Sequence, residues 1–262
     1  MSFSDIIRTV DTGVSTITIN RPEVHNALRL QTLQDMIAAL EEANDDPAVG
    51  VVVITGAGDR AFCTGGDLGS GGDPDDKSWL RKTNRYLQQL AFLIRNMPKP
   101  VIAAVNGLCI GGGNELNVFC DLTIASEQAR FGQAELKVGT APLWGGTQLL
   151  PRILGEKRAR EMLFFCRQYS AREALELGLV NKVVDHTRLY AEVRSWCDEL
   201  LAMSPQSLRI AKLSLNFESD QLWPSFNHGM AMIDLLWNSP ELQEGIASFK
   251  EKRKPDFGRF RR

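Results

Sequence analysis

The chain of 262 residues has a formal net charge of −2 at pH 7 and a pI near 6.0. This balance argues against a dedicated nucleic-acid binder, which needs a basic domain or stripe, and the length suits one main domain with a substantial core. Five scattered cysteines without a CxxC pair, and the lack of any apolar run near the ~18 residues of a membrane span, favour a cytoplasmic protein with no metal site and no membrane partner.

Five short apolar runs rich in β-branched residues predict β-strands, because each ends in a turn-forming or polar cluster. They lie at residues 15–20, 51–55, 101–106, 122–125 and 180–184. Amphipathic stretches at 30–44 and 78–97 carry apolar residues at three- and four-residue spacing and predict helices. The alternation of strand and helix predicts an α/β domain whose binding residues lie on loops at strand ends.

The last third of the chain changes character. Four helical patterns occupy residues 157–177, 189–203, 205–217 and 223–237, with few strand signals between them. We therefore predict two parts, a core of residues 1–195 and a helical C-terminal subdomain of residues 196–262. The Gly/Asp/Pro-rich stretch 69–76 predicts a loop.

Two glycine-rich segments follow predicted strands. Three glycines at 111–113 leave backbone N–H groups unshielded at the start of a predicted helix, where they can bind an oxygen that bears negative charge; close packing of the helix on a strand is the alternative. Gly65 and Gly66 form the second segment, and one N–H from each could bind a single carbonyl oxygen if the segments meet in space. Residues 56–61 match a dinucleotide fingerprint, but no amphipathic helix follows, so they predict a turn.

Two acidic residues stand in largely apolar surroundings, where an unpaired carboxylate is costly. Glu115 follows the triple glycine, and Glu135 lies in the segment FGQAELK. Two carboxyl groups that lie close together titrate as a pair, so one can hold a proton while the other is ionised, as addition of water to a double bond requires. The alternatives are compensation of a helix dipole by Glu115 and an ion pair of Glu135 with Lys137 or Arg130.

Other catalytic patterns are missing from the sequence. Neither GxSxG nor GxxxxGK[ST] occurs, and the three histidines, His25, His186 and His228, are isolated from one another and from acid clusters. The sequence therefore gives no support to a serine hydrolase, a P-loop enzyme or a metalloenzyme.

Taken together, these residues resemble the crotonase (enoyl-CoA hydratase/isomerase) superfamily over nearly the whole chain. The resemblance rests on six ordered motifs: Asn20-Arg21-Pro22 through Asn26-Ala27-Leu28, Ala61-Phe62-Cys63 through Gly65-Gly66-Asp67, Gly111-Gly112-Gly113 with Glu115, Cys120-Asp121-Leu122, Phe131-Gly132-Gln133 with Glu135, and Gly145-Gly146-Thr147. It implies an α/β spiral of ββα repeats followed by a helical trimerisation region, and homotrimers or dimers of trimers. It also implies an acyl-CoA substrate, with coenzyme A as part of the thioester and no further cofactor.

The resemblance also implies roles for individual residues. The amides of Gly66 and Gly112 would hold the thioester oxygen, Glu115 would deprotonate the water that attacks Cβ, and Glu135 would protonate Cα. The implied substrate- and CoA-binding residues are Asn26, Ala27, Leu28, Ala61, Thr64, Gly65, Asp67, Leu68, Gly111, Pro142, Leu143, Trp144, Phe249 and Lys252. The implied activity is that of an enoyl-CoA hydratase, a hydro-lyase of the kind found in fatty acid metabolism.

The sequence departs from the family pattern at two places. Gly69 stands where many hydratases have a lysine that helps to bind CoA phosphates, which leaves the phosphate partner open. Leu143 and Trp144 replace smaller residues near the acyl group, and Trp144 is expected either to offer an aromatic wall to a ring or to lie in the core.

A secondary resemblance, to 1,4-dihydroxy-2-naphthoyl-CoA synthase and 2-ketocyclohexanecarboxyl-CoA hydrolase, keeps alternatives open. Those enzymes make or break carbon–carbon bonds but lack the glutamates found here at 115 and 135, so the catalytic residues favour a hydratase. The alternatives are an enoyl-CoA isomerase, a ring-forming or ring-cleaving acyl-CoA enzyme, and a non-catalytic CoA- or RNA-binding homologue.

Overall fold

A computed structural model describes residues 3–69 and 77–261, and within these ranges the chain forms ten α-helices and ten β-strands. The strands are β1 (Ile6–Asp11), β2 (Val14–Ile19), β3 (Val51–Gly56), β4 (Ala61–Cys63), β5 (Val101–Val105), β6 (Leu108–Ile110), β7 (Leu122–Ser126), β8 (Arg130–Gly132), β9 (Gln168–Ser170) and β10 (Lys182–Val184). The helices are α1 (Leu30–Asp45), α2 (Lys77–Asn96), α3 (Gly112–Phe119), α4 (Gly146–Leu154), α5 (Glu156–Phe165), α6 (Ala171–Glu176), α7 (Leu189–Leu201), α8 (Pro205–Asp220), α9 (Trp223–Leu236) and α10 (Pro240–Lys250). Beyond Gly69, the predicted loop 69–76 lies outside the described residues.

The strands form two sheets. The main sheet has the order β1-β2-β3-β5-β7-β10, parallel except for the antiparallel edge strand β1. The small sheet has the order β4-β6-β8-β9, in which β4, β6 and β8 are parallel. The five predicted strands correspond to β2, β3, β5, β7 and β10, and every residue of β3 and β5 is buried, which explains their continuous apolar runs.

The connectivity repeats a ββα unit three times: β3-β4-α2, β5-β6-α3 and β7-β8-α4. In each unit the first strand joins the main sheet and the second strand joins the small sheet. Because neighbouring parallel strands end at the same edge, about 4.8 Å apart, the residues that follow β4, β6 and β8 emerge side by side. The α/β spiral of ββα repeats is therefore confirmed, and it brings three separate sequence segments to one place.

Tight corners lie between the two strands of a unit. A Cβ on Gly56 or on Gly107 would overlap the backbone at residues 60–62, so only glycine fits where the chain leaves the main sheet. The side chain of Asn106 donates to the carbonyl oxygens of Gly56 at 2.8 Å and Gly58 at 2.6 Å, and so ties the second corner to the first. Residues 57–60 form bends rather than a helix, as the turn prediction required.

One predicted helix was wrong in detail, and two longer elements were missed. Residues 157–177 are not one helix, because Cys166 takes a left-handed conformation (φ 48°) that ends α5 and lets β9 pair with β8. Ser170 then accepts a hydrogen bond from the Glu173 amide and starts α6 with a capping box. Strand β1 and helix α10 were also missed; β1 is an edge strand that is exposed along most of its length and so lacks an apolar run.

The C-terminal helices attach to the core in different ways. The predicted boundary at residue 195 falls within α7, whose buried Val193 and Cys197 pack on the main sheet, and the division into two parts stays a prediction. Helix α8 buries Lys212, which donates to Asp121 at 2.7 Å and to the carbonyl oxygens of Ile94 and Lys99. Among the described helices none combines the length and apolar character that a membrane crossing needs.

Candidate active site

Two buried carboxylates lie at the edge where the small sheet ends. Glu115 lies in the first turn of α3, after β6, and is 3% exposed; Glu135 begins a short 3-10 helix (Glu135–Val138) after β8 and is 9% exposed. Glu115 Oε1 accepts a hydrogen bond from the Gly146 amide at 2.9 Å, and Glu135 Oε2 accepts one from the Ala134 amide at 2.8 Å. Each carboxylate is thus held by a backbone amide at a fixed position.

Burial makes both carboxyl groups weaker acids than an exposed glutamate. It raises the pKa of Glu115 well above the ordinary 4.5, and the charge of Glu135 raises it further. Burial also raises the pKa of Glu135, to about 7, against the opposing effect of its backbone hydrogen bonds. The two groups interact, so near neutral pH the pair can hold one proton and one negative charge.

The structure does not support the ion-pair alternative for Glu135. Lys137 instead donates to the carbonyl oxygen of Cys166 at 3.2 Å. In the part of the chain that the structure describes, neither Glu115 nor Glu135 forms a salt bridge. A charge on this pair is therefore balanced by amides and not by a side-chain cation.

The two glycine segments meet beside these carboxylates. A Cβ built on Gly65 would lie 2.8 Å from the amide nitrogen of Gly112, and one built on Gly112 would lie 3.8 Å from the amide nitrogen of Gly66. Neither the Gly66 nor the Gly112 amide donates a hydrogen bond within the described ranges. Two unused N–H donors thus lie close together, which is the geometry that can bind one carbonyl oxygen.

Glycine is required at this meeting point. Gly65 (φ 87°) and Gly111 (φ 59°) take backbone conformations that other residues rarely adopt, and a Cβ on Gly113 would overlap the carbonyl oxygen of Cys63. A Cβ on Gly111 would lie 3.0 Å from Glu135 Oε1, which places that carboxylate directly beside the start of α3. The close-packing alternative for the triple glycine is therefore confirmed, and the binding of an oxygen by the Gly112 amide stays a prediction.

Gln133 is a site residue to which the sequence analysis gave no role. With its amide nitrogen turned toward Glu135, it donates to both carboxylate oxygens and to the Gly111 carbonyl at 3.1 Å, and it accepts from Asn114 Nδ2 at 3.3 Å. Gln133 is 1% exposed. A buried glutamine two residues from a candidate acid, within the motif FGQ, was the available signal.

The loop before α4 reaches Glu115 through backbone and not through its tryptophan. Trp144 is 3% exposed, packs on Phe119 with ring centroids 5.3 Å apart, and donates its indole N–H to the Leu87 carbonyl at 2.8 Å. It belongs to the core, so the expectation of an aromatic wall at Trp144 is corrected in favour of the core alternative. Pro142 is buried as well, and Leu143 is half-buried.

The segment 26–28 is joined to the second glycine segment. The Leu28 amide donates to the Gly65 carbonyl at 2.7 Å, and the Asp67 amide donates to the Leu28 carbonyl at 2.9 Å. The Asn26 side chain is buried and binds the carbonyl oxygens of Ala57 and Ala61. It supports the loop from inside; the Asn26 amide donates to the Arg21 carbonyl at 2.9 Å and the whole residue is 0% exposed, so it offers no exposed surface to a ligand.

The remaining implied residues have mixed surroundings. The Asp67 carboxylate accepts from Arg21 at 2.8 Å, and the Thr64 hydroxyl donates to the His25 carbonyl at 3.3 Å, so both side chains brace the loop. Leu68 is half-buried beside the glycine pair, whereas Ala27 and Ala61 are buried. Phe249 is 63% exposed on the last turn of α10, and Lys252 follows it in a left-handed turn (φ 54°).

A cavity of about 360 Å³ lies beside the 26–28 segment. It is lined by His25, Asp59, Arg60, Gly107, Leu108 and Gln128. A smaller cavity of about 60 Å³ adjoins it and includes Asn26 and Ala61. Arg60 is exposed and its Nη2 lies 2.9 Å from His25 Nε2, which makes it a cation at the cavity wall. The described residues contain no cluster of three or more His, Cys, Asp or Glu that could bind a metal ion.

Comparison with known proteins agrees with this architecture. A family model described as enoyl-CoA hydratase/isomerase matches residues 9–260, and the chain belongs to this family. Its spiral of ββα repeats is the crotonase fold of that family, and the chain is a crotonase-superfamily enzyme that acts on CoA-linked compounds.

Solved structures extend the comparison. An enoyl-CoA hydratase of Mycobacterium avium subsp. paratuberculosis K-10 is 31% identical with a TM-score of 0.89, and the match covers 98% of this chain and 99% of that one. An enoyl-CoA hydratase of Bacillus anthracis is 32% identical with a TM-score of 0.77, covering 97% and 99%. A carnitinyl-CoA hydratase of Mycobacterium avium is 31% identical with a TM-score of 0.85, covering 98% and 99%. These similar proteins differ in the acyl group they are named for.

The raised pKa values predict that the carboxylate pair lowers stability as pH rises. Between the ordinary 4.5 and about 7 the unfolded chain releases the Glu135 proton while the folded chain keeps it, so rising pH favours unfolding. The double variant Glu115→Gln/Glu135→Gln should therefore gain stability relative to wild type between pH 5 and pH 8.

Thermal and urea unfolding across that pH range measures the difference. The control is Glu127→Gln/Glu176→Gln, which removes two exposed carboxylates from the surface. A wild-type protein whose stability changes with pH in parallel with that of the buried double variant would contradict the raised pKa values.

Proposed function

We propose that the protein is an enoyl-CoA hydratase that adds water across the 2,3 double bond of an enoyl-CoA thioester. The observation that carries the proposal is the buried pair Glu115 and Glu135 placed beside two unused amides. A carboxylate pair that shares one proton supplies both a base and an acid, and the amides supply a site for negative charge. The similarity to enoyl-CoA hydratases supports the same activity.

The mechanism begins when the thioester oxygen accepts hydrogen bonds from the Gly66 and Gly112 amides. The reactive form of the pair has its proton on Glu135; in that form Glu115, held by the Gly146 amide, takes a proton from a water molecule as the water oxygen bonds to Cβ. The electron pair of the double bond moves to the thioester as an enolate, whose oxygen the two amides stabilise. Glu135 then gives its proton to Cα, which yields a 3-hydroxyacyl-CoA, and transfer of a proton from Glu115 to Glu135 restores the pair.

Arg60 is the candidate partner for a CoA phosphate. The position of the missing lysine is Gly69, whereas Arg60 lines the cavity of about 360 Å³ next to the 26–28 segment. A guanidinium group binds phosphate oxygens through two parallel N–H donors, and this exposed arginine can turn from His25 toward a ligand. The same cavity is open enough for the nucleotide end of CoA, and no further cofactor enters the reaction.

A panel of straight-chain and cyclic enoyl-CoA esters, followed by mass spectrometry, tests the activity. A hydratase increases the substrate mass by one water with loss of the double-bond absorbance. Retention of mass with migration of the double bond would identify an isomerase, and a change in the carbon skeleton would identify a ring-forming or ring-cleaving enzyme. No reaction with any of the esters would favour a non-catalytic CoA- or RNA-binding homologue.

Glu115→Gln and Glu135→Gln should each reduce kcat for hydration by about 10²- to 10⁴-fold, because each removes a proton-transfer group. The Kd for the substrate, measured by calorimetry on the inactive variants, should change far less, since neither side chain is needed to hold the CoA. The exposed Glu127→Gln provides the control. Near wild-type turnover in either buried variant would remove that glutamate from the mechanism.

Gly112→Pro should abolish turnover while leaving both carboxylates in place, because proline removes the N–H donor at a helix position that tolerates its ring. Gly112→Ala is the matched control: it keeps the amide and places its Cβ 3.3 Å from Gly65 Cα, a contact that small shifts relieve. We expect Ala to retain much of the activity. Normal activity in a folded Gly112→Pro protein would exclude this amide from the oxyanion site.

We also propose that the chain assembles into homotrimers or dimers of trimers through helix α8. Four large apolar side chains of α8 face solvent in the single chain: Ile210, Leu213, Leu215 and Phe217, the last two 80% and 72% exposed. Three of them, Ile210, Leu213 and Phe217, recur at three- and four-residue spacing and so share one face of the helix, and an exposed apolar face of this kind is typical of a contact between subunits.

Ile210→Glu/Phe217→Glu should therefore lower the molar mass in solution to that of one chain, because a charge within an apolar interface is costly to bury. Light scattering after size-exclusion chromatography measures the mass. Glu176→Gln, a charge change at an exposed position outside α8, should leave it unchanged. An assembly that survives the double substitution would place the contact elsewhere.

A further inference from the structure

The turn that carries Glu135 is short and has few contacts of its own. It is a 3-10 helix of four residues that ends at Gly139 in a left-handed conformation (φ 75°). The Thr140 amide donates to the Glu135 carbonyl at 3.0 Å, and Lys137 donates to Cys166 on the side of α5. Other elements that pack against the turn therefore help to set where the Glu135 carboxylate sits, together with the Ala134 amide and Gln133.

Helix α10 packs against the Glu135 turn through two backbone contacts. A Cβ on Gly245 would overlap the carbonyl group of Val138, and a Cβ on Gly139 would overlap the carbonyl of Glu241. Residues 241 and 245 are one helical turn apart, so they meet consecutive residues of the Glu135 turn. No side chain lies between the two backbones to absorb a displacement, and a shift of α10 moves the turn directly.

Helix α10 is itself fixed by the chain that follows it. Glu244, next to Gly245 and 6% exposed, accepts from Arg253 at 2.5 Å, from Arg259 at 3.1 Å and from the Asp256 amide at 2.8 Å. The tail thus folds back over the helix and holds one carboxylate with charged donors from two directions. The Ser248 hydroxyl adds a bond to the Gly245 carbonyl at 2.9 Å.

We propose that Gly245 and Glu244 are positioning residues for catalysis: helix α10, held by its own tail, sets the position of the Glu135 carboxylate through direct backbone contact. The inference rests on the proposed function, since it takes Glu135 as the proton donor. The geometry leaves little tolerance, because the carboxylate already lies against Gly111, where a Cβ would come within 3.0 Å of Oε1.

Gly245→Ala is the direct test. The added methyl group must push Val138 away, and a displacement near 1 Å can lower a rate by about 10²-fold. We expect kcat to fall by about 10- to 100-fold, and kcat is the readout here because Phe249 and Lys252, two implied CoA-binding residues at the end of α10, can also change KM. The matched control is Gly258→Ala in the tail, whose Cβ would meet only Asp256 Oδ1 at 3.4 Å, and its kcat should equal that of wild type.

Glu244→Gln tests the same link without steric change. It keeps the shape of the side chain and removes the charge that holds Arg253 and Arg259, so kcat should fall, though less than in Gly245→Ala. Glu251→Gln is its control, since this exposed acid also binds Arg253 but does not adjoin Gly245. Should Gly245→Ala fail to fold, as judged by circular dichroism, Glu244→Gln against Glu251→Gln decides the question.

A second readout separates this inference from the proposed function. Carbon-13 NMR of protein labelled at the glutamate carboxyls, with the Glu135 signal assigned by its loss in Glu135→Gln, follows the titration of that group directly. The midpoint should move in Gly245→Ala and stay in Gly258→Ala. A folded Gly245→Ala with wild-type kcat and an unmoved midpoint overturns the positioning role. A moved midpoint with fully active Glu135→Gln overturns the proposed function and leaves the positioning contact standing.

Discussion

Direct contact between two stretches of glycine backbone is the constraint on which the site depends. The start of α3 lies so close to the end of β4 that Gly113 has no room for a Cβ beside the Cys63 carbonyl. This approach brings the Gly66 and Gly112 amides together and leaves both without a partner among the described residues. A side chain at Gly113 would push the two stretches of backbone apart, so the packing that requires glycine there also keeps the two N–H donors close together.

By contrast with the glycine contact, burial of the two carboxyl groups lowers the stability of the fold. The two acids are buried, and no side-chain cation pairs with either of them within the described ranges, so their ionisation is unfavourable. The fold partly compensates with one backbone amide for each carboxylate and with Gln133. This unfavourable ionisation raises the pKa of both groups, so the pair still holds a proton near neutral pH. Functional sites commonly combine such unfavourable groups with a rigid frame that keeps them apart from water.

The sequence predicted most of the frame because β-branched runs and helical spacing report burial directly. It predicted Glu115, Glu135 and both glycine segments as candidates, but their proximity arises from parallel pairing of β4, β6 and β8, strands of three residues each that carry almost no pattern. The direction of Trp144 depends on space between α2 and α3, and the contact of α10 with the Glu135 turn depends on backbone overlap. Neither of these two features can be predicted from residue type alone.

The repeated ββα unit has a consequence for how this kind of enzyme can change. Each turn of the spiral brings candidate site groups to the common edge: the Gly66 amide after β4, the Gly112 amide and Glu115 after β6, and Glu135 after β8. Because these groups arrive on separate loops from a shared scaffold, one loop can be rewritten while the others keep their geometry. Divergence can therefore proceed loop by loop, with the anion-binding step retained and the proton-transfer step exchanged, and a designer could graft new reactivity by the same route.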